Sequence, residues 1–237
     1  MLQETGILIA TAASIGFLHT LLGPDHYLPF IVMSRARNWS AARTLWITAA
    51  CGAGHVASSV VLGLVGVMLG IGVNRLVDVE SVRGGIAAWL LIGFGLAYML
   101  WGIRKALRNR PHSHPHMHTN GSRHHHIHVH DTEHAHLHEE PGRRKLTPWV
   151  LFLIFVLGPC EPLIPLLMYP AAENSMMGVV AVAAVFSVVT VLTMTAVVWL
   201  GFTGFRFLPL SRLERYMHAL AGGIIFLSGI GIRFLGL

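Results

Sequence analysis

Residues 17–33 read FLHTLLGPDHYLPFIVM, and residues 152–168 read FLIFVLGPCEPLIPLLM. Laid over each other, the two strings agree at seven of 17 positions: Phe, Leu, Leu, Gly, Pro, Leu and Met. Both place Gly-Pro inside an apolar run, where proline removes a hydrogen bond to the preceding turn and breaks a helix. Gly84-Gly85-Ile86 repeats as Gly222-Gly223-Ile224 at nearly the same offset. The pattern predicts two halves of three helices each. Three is odd, so the halves run in opposite directions through a membrane. Inverted repeats interrupted by Gly and Pro at matching positions point to a transporter with its site near the midplane.

Composition supports a membrane protein. The chain has 237 residues, 54% apolar and only 12% charged, against about 25% charged in soluble domains. Mean hydropathy is +0.61. A water-soluble enzyme, a disordered protein and a nucleic-acid-binding module are excluded on that basis. A membrane helix needs about 20 apolar residues, and six segments qualify: 5–34, 42–72, 82–107, 146–170, 176–204 and 211–235. The expected fold is all-α, with six transmembrane helices as two inverted three-helix repeats and helix breaks near Gly23-Pro24 and Gly158-Pro159. Residues 1–107 form the first repeat, 108–145 a cytoplasmic loop and 146–237 the second repeat. No basic stretch precedes the first segment, which reads as a retained helix rather than a leader. Two cysteines inside apolar segments make no disulfide framework.

Fourteen of the 17 Lys and Arg residues fall after helix 1, between helices 3 and 4, or between helices 5 and 6. The positive-inside rule then sets both termini outside and the long loop in the cytoplasm, in a bacterial inner membrane. The basic excess is topological, so the bilayer is the expected partner and nucleic acid is not.

Of the 11 carboxylates, only Asp25 and Glu161 fall well inside the apolar spans, Glu214 standing at the edge of the last segment. Each costs about 2.5–3.5 kcal/mol at a helix centre, and the repeat overlay sets Asp25 on Cys160 and His26 on Glu161. His19, Asp25 and His26 form one cluster. On a straight helix His19 and His26 stand about 10.5 Å apart along the axis, whereas two nitrogens on one ion are at most about 4.2 Å apart. Either the Gly23-Pro24 break brings both to one ion, or they serve successive sites. Helix 2 adds His55. Cys160 and Glu161 complete a polar core facing helix 1, and Thr190 and Thr193 occupy the place of His55 in the second half as weaker candidates. Imidazole, carboxylate and thiolate together suit a transition metal such as Ni²⁺, Co²⁺ or Zn²⁺ rather than Mg²⁺ or Ca²⁺. No nucleophile–base pair stands out, so no enzyme and no prosthetic group are expected.

Twelve of the 16 histidines lie in the loop: His112, His114, His116, His118, His124, His125, His126, His128, His130, His134, His136 and His138. So polar a segment buries no core and is expected to be disordered without metal. Its imidazoles are expected to capture metal with little selectivity.

HTLLGPDH, residues 19–26, resembles the H-x5-DH signature of the nickel/cobalt transporter superfamily, in its NicO-type efflux, UreH-like and HupE/UreJ branch. The six-helix plan, the Gly-His of helix 2, GPCEP and the His-rich loop agree with that branch. By this resemblance His19, Asp25, His26 and His55 match positions of metal selection, and the chain carries Ni²⁺ or Co²⁺, with efflux favoured over uptake and a cytoplasmic metallochaperone as a partner. The alternatives are a nickel uptake permease and a metal-binding or sensor membrane protein that does not conduct. GPCEPLIP is also similar to the membrane thiol–disulfide carriers of cytochrome c maturation, which need a cysteine in each half. This chain has Asp25 where the first would stand, and Cys51 lies on helix 2, off the symmetric position.

Overall fold

The computed structural model describes residues 2–108, 112–117, 123–128, 146–173, 175–204 and 213–235. In chain order it has α1 (Leu2–Leu22), a 3-10 turn (Pro24–His26), α2 (Leu28–Ala36), α3 (Ala41–Met68) and α4 (Val73–Arg108). Strands β1 (His112–Met117) and β2 (Arg123–His128) follow. Then come α5 (Leu146–Leu157), α6 (Leu163–Ala172), α7 (Met176–Gly204), a second 3-10 turn (Glu214–Tyr216), α8 (Met217–Ile230) and a π turn (Gly231–Leu235).

Among the described residues, four helical stretches are long and apolar enough to cross a membrane: α3, α4, α7 and the run through α8. The first expected span, 5–34, is bent by 82° between its two arms and makes a fifth if counted as one. The break is local chemistry. The Gly23 N–H closes the last turn on the His19 carbonyl, and Pro24, with no N–H of its own, starts the 3-10 turn instead. The expected span 146–170 also divides, into α5 and α6, because Gly158, Pro159 and Pro162 interrupt it. Neither piece alone reaches the length of a crossing. The helices thus break at both Gly-Pro pairs.

The third span begins earlier than expected, at Val73 rather than 82. Its 36 residues span about 54 Å, more than the ~30 Å of hydrocarbon. Its start includes Glu80 and Arg83, which an apolar window discards. The loop differs too: β1 pairs antiparallel with β2, His112 opposite His128, His114 opposite His126 and His116 opposite His124. In β1 histidine alternates with Ser113, Pro115 and Met117, the period of a strand. His118, His130, His134, His136 and His138 lie outside the described residues.

Two apolar cores hold the helices. One gathers Phe30, Met33, Cys51, Leu91, Leu151, Met194 and Ile225; the other gathers Ala12, Val56, Cys160, Leu163, Val179 and Phe186. Between α4 and α8 the backbones themselves touch: a Cβ on Gly95 would overlap the Phe226 backbone, one on Gly102 that of Ala219, and one on Gly222 that of Met99. Small residues permit such approach, which is how membrane helices pack without a hydrophobic driving force. Large side chains such as Trp46, Met177 and Leu200 point outward, as a lipid-facing surface requires.

Candidate functional site

The bend that breaks the first span determines the site. Folding the chain back at Gly23 sets the His26 ring against His19, centroids 4.8 Å apart, and against His55 of α3, centroids 5.1 Å apart. One nitrogen from each ring lies within 4.8 Å of the others. The bend thus sets His19 and His26 side by side instead of about 10.5 Å apart along one helix axis, at a spacing whose 4.8 Å bound exceeds the ~4.2 Å that two nitrogens on one ion allow.

The hydrogen bonds orient the rings. His26 Nδ1 is 3.1 Å from the Gly23 carbonyl and 3.2 Å from Asp25 Oδ1, and His55 Nδ1 is 3.1 Å from the Phe155 carbonyl. A carbonyl only accepts, so Nδ1 carries the proton and Nε2 keeps its lone pair. The Nε2 atoms of His19, His26 and His55 are all buried with no hydrogen-bond partner. His26 and His55 thus present free Nε2 lone pairs with their opposite nitrogens anchored, the arrangement in which outer hydrogen bonds orient metal-ligating histidines. The donor set is pure imidazole, and Asp25 acts from behind His26 rather than beside it.

The remaining expected residues lie elsewhere. Glu161 is exposed and is not part of the histidine group. Cys160 is fully buried in the second apolar core, and its backbone N–H donates to Glu80 Oε2 at 3.1 Å. Thr190 is buried against Gly16, one turn before His19, with its hydroxyl unpartnered, and Thr193 is buried on the same helix. Cys51 and Cys160 are both free thiols. Cys51 stands one helical turn before His55, and the residue after His55, Val56, packs in the core that holds Cys160.

The sequence reading missed Glu80 and Arg83. Glu80 is 0% exposed and bonds Arg83 Nη1 at 2.6 Å. Arg83 Nη2 in turn donates to Ser58 Oγ and to the carbonyls of Val156 and Gly158, at 2.7, 2.9 and 3.2 Å. This pair caps the broken end of α5, satisfying two carbonyls that lost their helical partners. The opposite charges three residues apart were the available signal.

A cavity of about 20 Å³ touches Asp25, His26 and His55. An open recess of about 350 Å³ adjoins it, lined by His19, Ser81, Glu161 and Arg233. Gly84, Ala88, Pro159 and Ile232 line both. A Cβ on Gly84 would lie 2.7 Å from the Pro159 ring, so glycine packs directly on proline in the wall the two spaces share.

Among known proteins, no curated sequence and no solved structure matches this chain. The family model for the cytochrome C biogenesis protein transmembrane region matches residues 28–231. That match overturns the nickel/cobalt transporter resemblance and, with it, the reading of the protein as a carrier of Ni²⁺ or Co²⁺. The H-x5-DH resemblance rested on eight residues, all of them before the matched segment, whereas the family pattern extends from α2 through α8. It agrees instead with the likeness of GPCEPLIP to thiol–disulfide carriers. This integral membrane chain belongs to the cytochrome c biogenesis transmembrane-region family.

Proposed function

We propose that the protein passes reducing equivalents through the bilayer by thiol–disulfide exchange during cytochrome c biogenesis, with Cys160 and Cys51 as its redox pair. The observation that carries this reading is the position of Cys160 at the break between α5 and α6, where the chain has no continuous helix to resist movement. A disulfide requires Cα atoms within about 6.8 Å, and the break gives the chain around Cys160 the freedom to adopt that geometry against α3. Joining the two thiols releases two electrons and two protons, which reduce a partner's disulfide to its dithiol. Six crossings in two inverted repeats, the basic loops in the cytoplasm and both termini outside complete the proposal, in a bacterial inner membrane.

The test is haem attachment to c-type cytochromes in cells carrying Cys51→Ser or Cys160→Ser, together with trapping of a mixed disulfide. Loss of attachment with either variant, and a partner trapped on the remaining cysteine, is expected. Normal attachment in both variants overturns the reading.

The histidine cluster favours a second property of the same membrane core: a resident transition-metal ion held by His19, His26 and His55. Three buried, unpartnered Nε2 atoms support it, and imidazole suits Zn, Cu and Ni. Purified protein should retain about one ion with an all-nitrogen or nitrogen–oxygen shell by X-ray absorption, and His55→Ala should lose it. An equal metal content in the variant overturns it.

A further inference from the structure

At the end of the bundle that carries the basic loops, four elements bring together cations and donors that the proposed chemistry does not use. Arg37 follows α2 and donates through Nη2 to Thr147 Oγ1 at 2.8 Å, while its Nε is buried with no partner. Its guanidinium lies 5.6 Å from the ring centroid of Tyr98 on α4. The Tyr98 hydroxyl meets His218 Nδ1 of α8 at 2.8 Å, and Lys105 Nζ meets His218 Nε2 at 3.4 Å. Lys105 also stands 5.7 Å from the Trp101 ring centroid, and that ring packs edge-on to His218 at 4.9 Å.

Donor counting shows what the cluster lacks. A lysine ammonium has no lone pair, so it must donate to His218 Nε2, and Nδ1 then carries the proton toward Tyr98. The Tyr98 hydroxyl proton, the Arg37 Nε proton and two Lys105 protons are left without an acceptor in this set. The charged groups that bear on His218 are Lys105 and Arg37, both cations. Among the described residues no carboxylate pairs with either; the ion pairs found are His26–Asp25 and Arg83–Glu80. Glu214, four residues before His218, is exposed and pairs with neither. A site of several donors, net positive charge and no internal acceptor complements a multi-oxygen anion.

Position selects the source of that anion. Tyr98, Trp101 and Lys105 share one face of α4 near its end, and Trp101 is 46% exposed, the placement of aromatic residues at a membrane–water interface. We propose that Arg37, Tyr98, Lys105 and His218 bind the phosphate of an anionic phospholipid headgroup. Basic pockets between helices at the cytoplasmic side are the setting in which such headgroups are held.

The experiment is native mass spectrometry of the full chain in detergent, titrated separately with phosphatidylglycerol, phosphatidylcholine and inorganic phosphate. Phosphatidylglycerol should bind in preference to the other two. Each juxtamembrane cation is worth about 1 kcal/mol, or roughly fivefold in affinity, so Arg37→Gln and Lys105→Gln should each weaken phosphatidylglycerol binding by about fivefold. Arg233→Gln, a cation near the opposite end, should leave it unchanged. Lys105 is exposed, so its variant retains the fold even if the half-buried Arg37 does not tolerate exchange. Equal binding of the two lipids, an unchanged Lys105→Gln, or an equal loss with Arg233→Gln overturns the site. Inorganic phosphate binding as tightly as phosphatidylglycerol overturns the lipid assignment.

Discussion

Removing the Glu80 carboxylate should open the break at Cys160 before it unfolds anything else. Glu80 accepts two bonds, from Arg83 one turn on in α4 at 2.6 Å and from the Cys160 backbone N–H, in the break between α5 and α6, at 3.1 Å. In Glu80→Ala, Arg83 loses its counter-ion while its side chain is only 18% exposed. Breaking a buried pair by deleting one member costs about 3–5 kcal/mol; the remaining exposure of Arg83 admits some water, which puts the loss near the lower end, about 2–3 kcal/mol. Glu80→Gln should do almost as badly. Its amide has one acceptor and one donor, yet both partners donate, so one N–H must face another. The assay is maleimide labelling of purified protein, following Cys160 in a Cys51→Ser background and Cys51 in a Cys160→Ser background. If opening is local and fast relative to labelling, that loss converts to a rise in the Cys160 rate of about 30- to 150-fold. Cys51 sits in the other apolar core and should label within about threefold of its original rate. Equal acceleration of both thiols would mean global unfolding, and an unchanged Cys160 rate would falsify the claim that Glu80 holds the break.

Three further outcomes follow from the packing. Gly23→Ala should lower metal content and weaken its retention by about tenfold or more, measured by competition with a chelator, because the new Cβ would lie 2.5 Å from His26 Nδ1 and must turn that ring; unchanged retention would separate the ring's orientation from binding. Gly222→Val should abolish the folded monomer on size-exclusion chromatography, since even a Cβ there overlaps the Met99 backbone; Gly223→Val, where the nearest atom is the flexible Met99 sulfur at 3.6 Å, should elute normally. Deleting residues 112–138 should remove weak, multiple metal binding in equilibrium dialysis and keep the single ion of the His19–His26–His55 cluster, an expectation refuted if both classes vanish together.

Much of the fold was legible because its decisive residues act locally. Pro24 and Pro159 break helices by lacking an N–H, and that is readable from one position. The convergence of His19 and His26 was legible only as a choice between two arrangements, because spacing along a chain fixes their distance only once the 82° bend is known. Glu80 and Arg83 were not found, since a hydropathy window treats each charge as a cost and does not register that two charges one turn apart cancel. The pairing of 112–117 with 123–128 was missed for a related reason: so histidine-rich a stretch looks like low complexity until a register is given. The family was misread from eight residues around His19, where a short motif outweighed the pattern of the remaining chain.

The wall shared by the two spaces also has a kinetic meaning. A cavity of about 20 Å³ has room for one water-sized species, so a hydrated ion must shed most of its waters to stand beside His26 and His55. Gly84 and Pro159 line that wall, and Pro159 belongs to the break that Glu80 holds through the Cys160 N–H. Loosening the break therefore changes the space beside the histidines as well as the reactivity of Cys160.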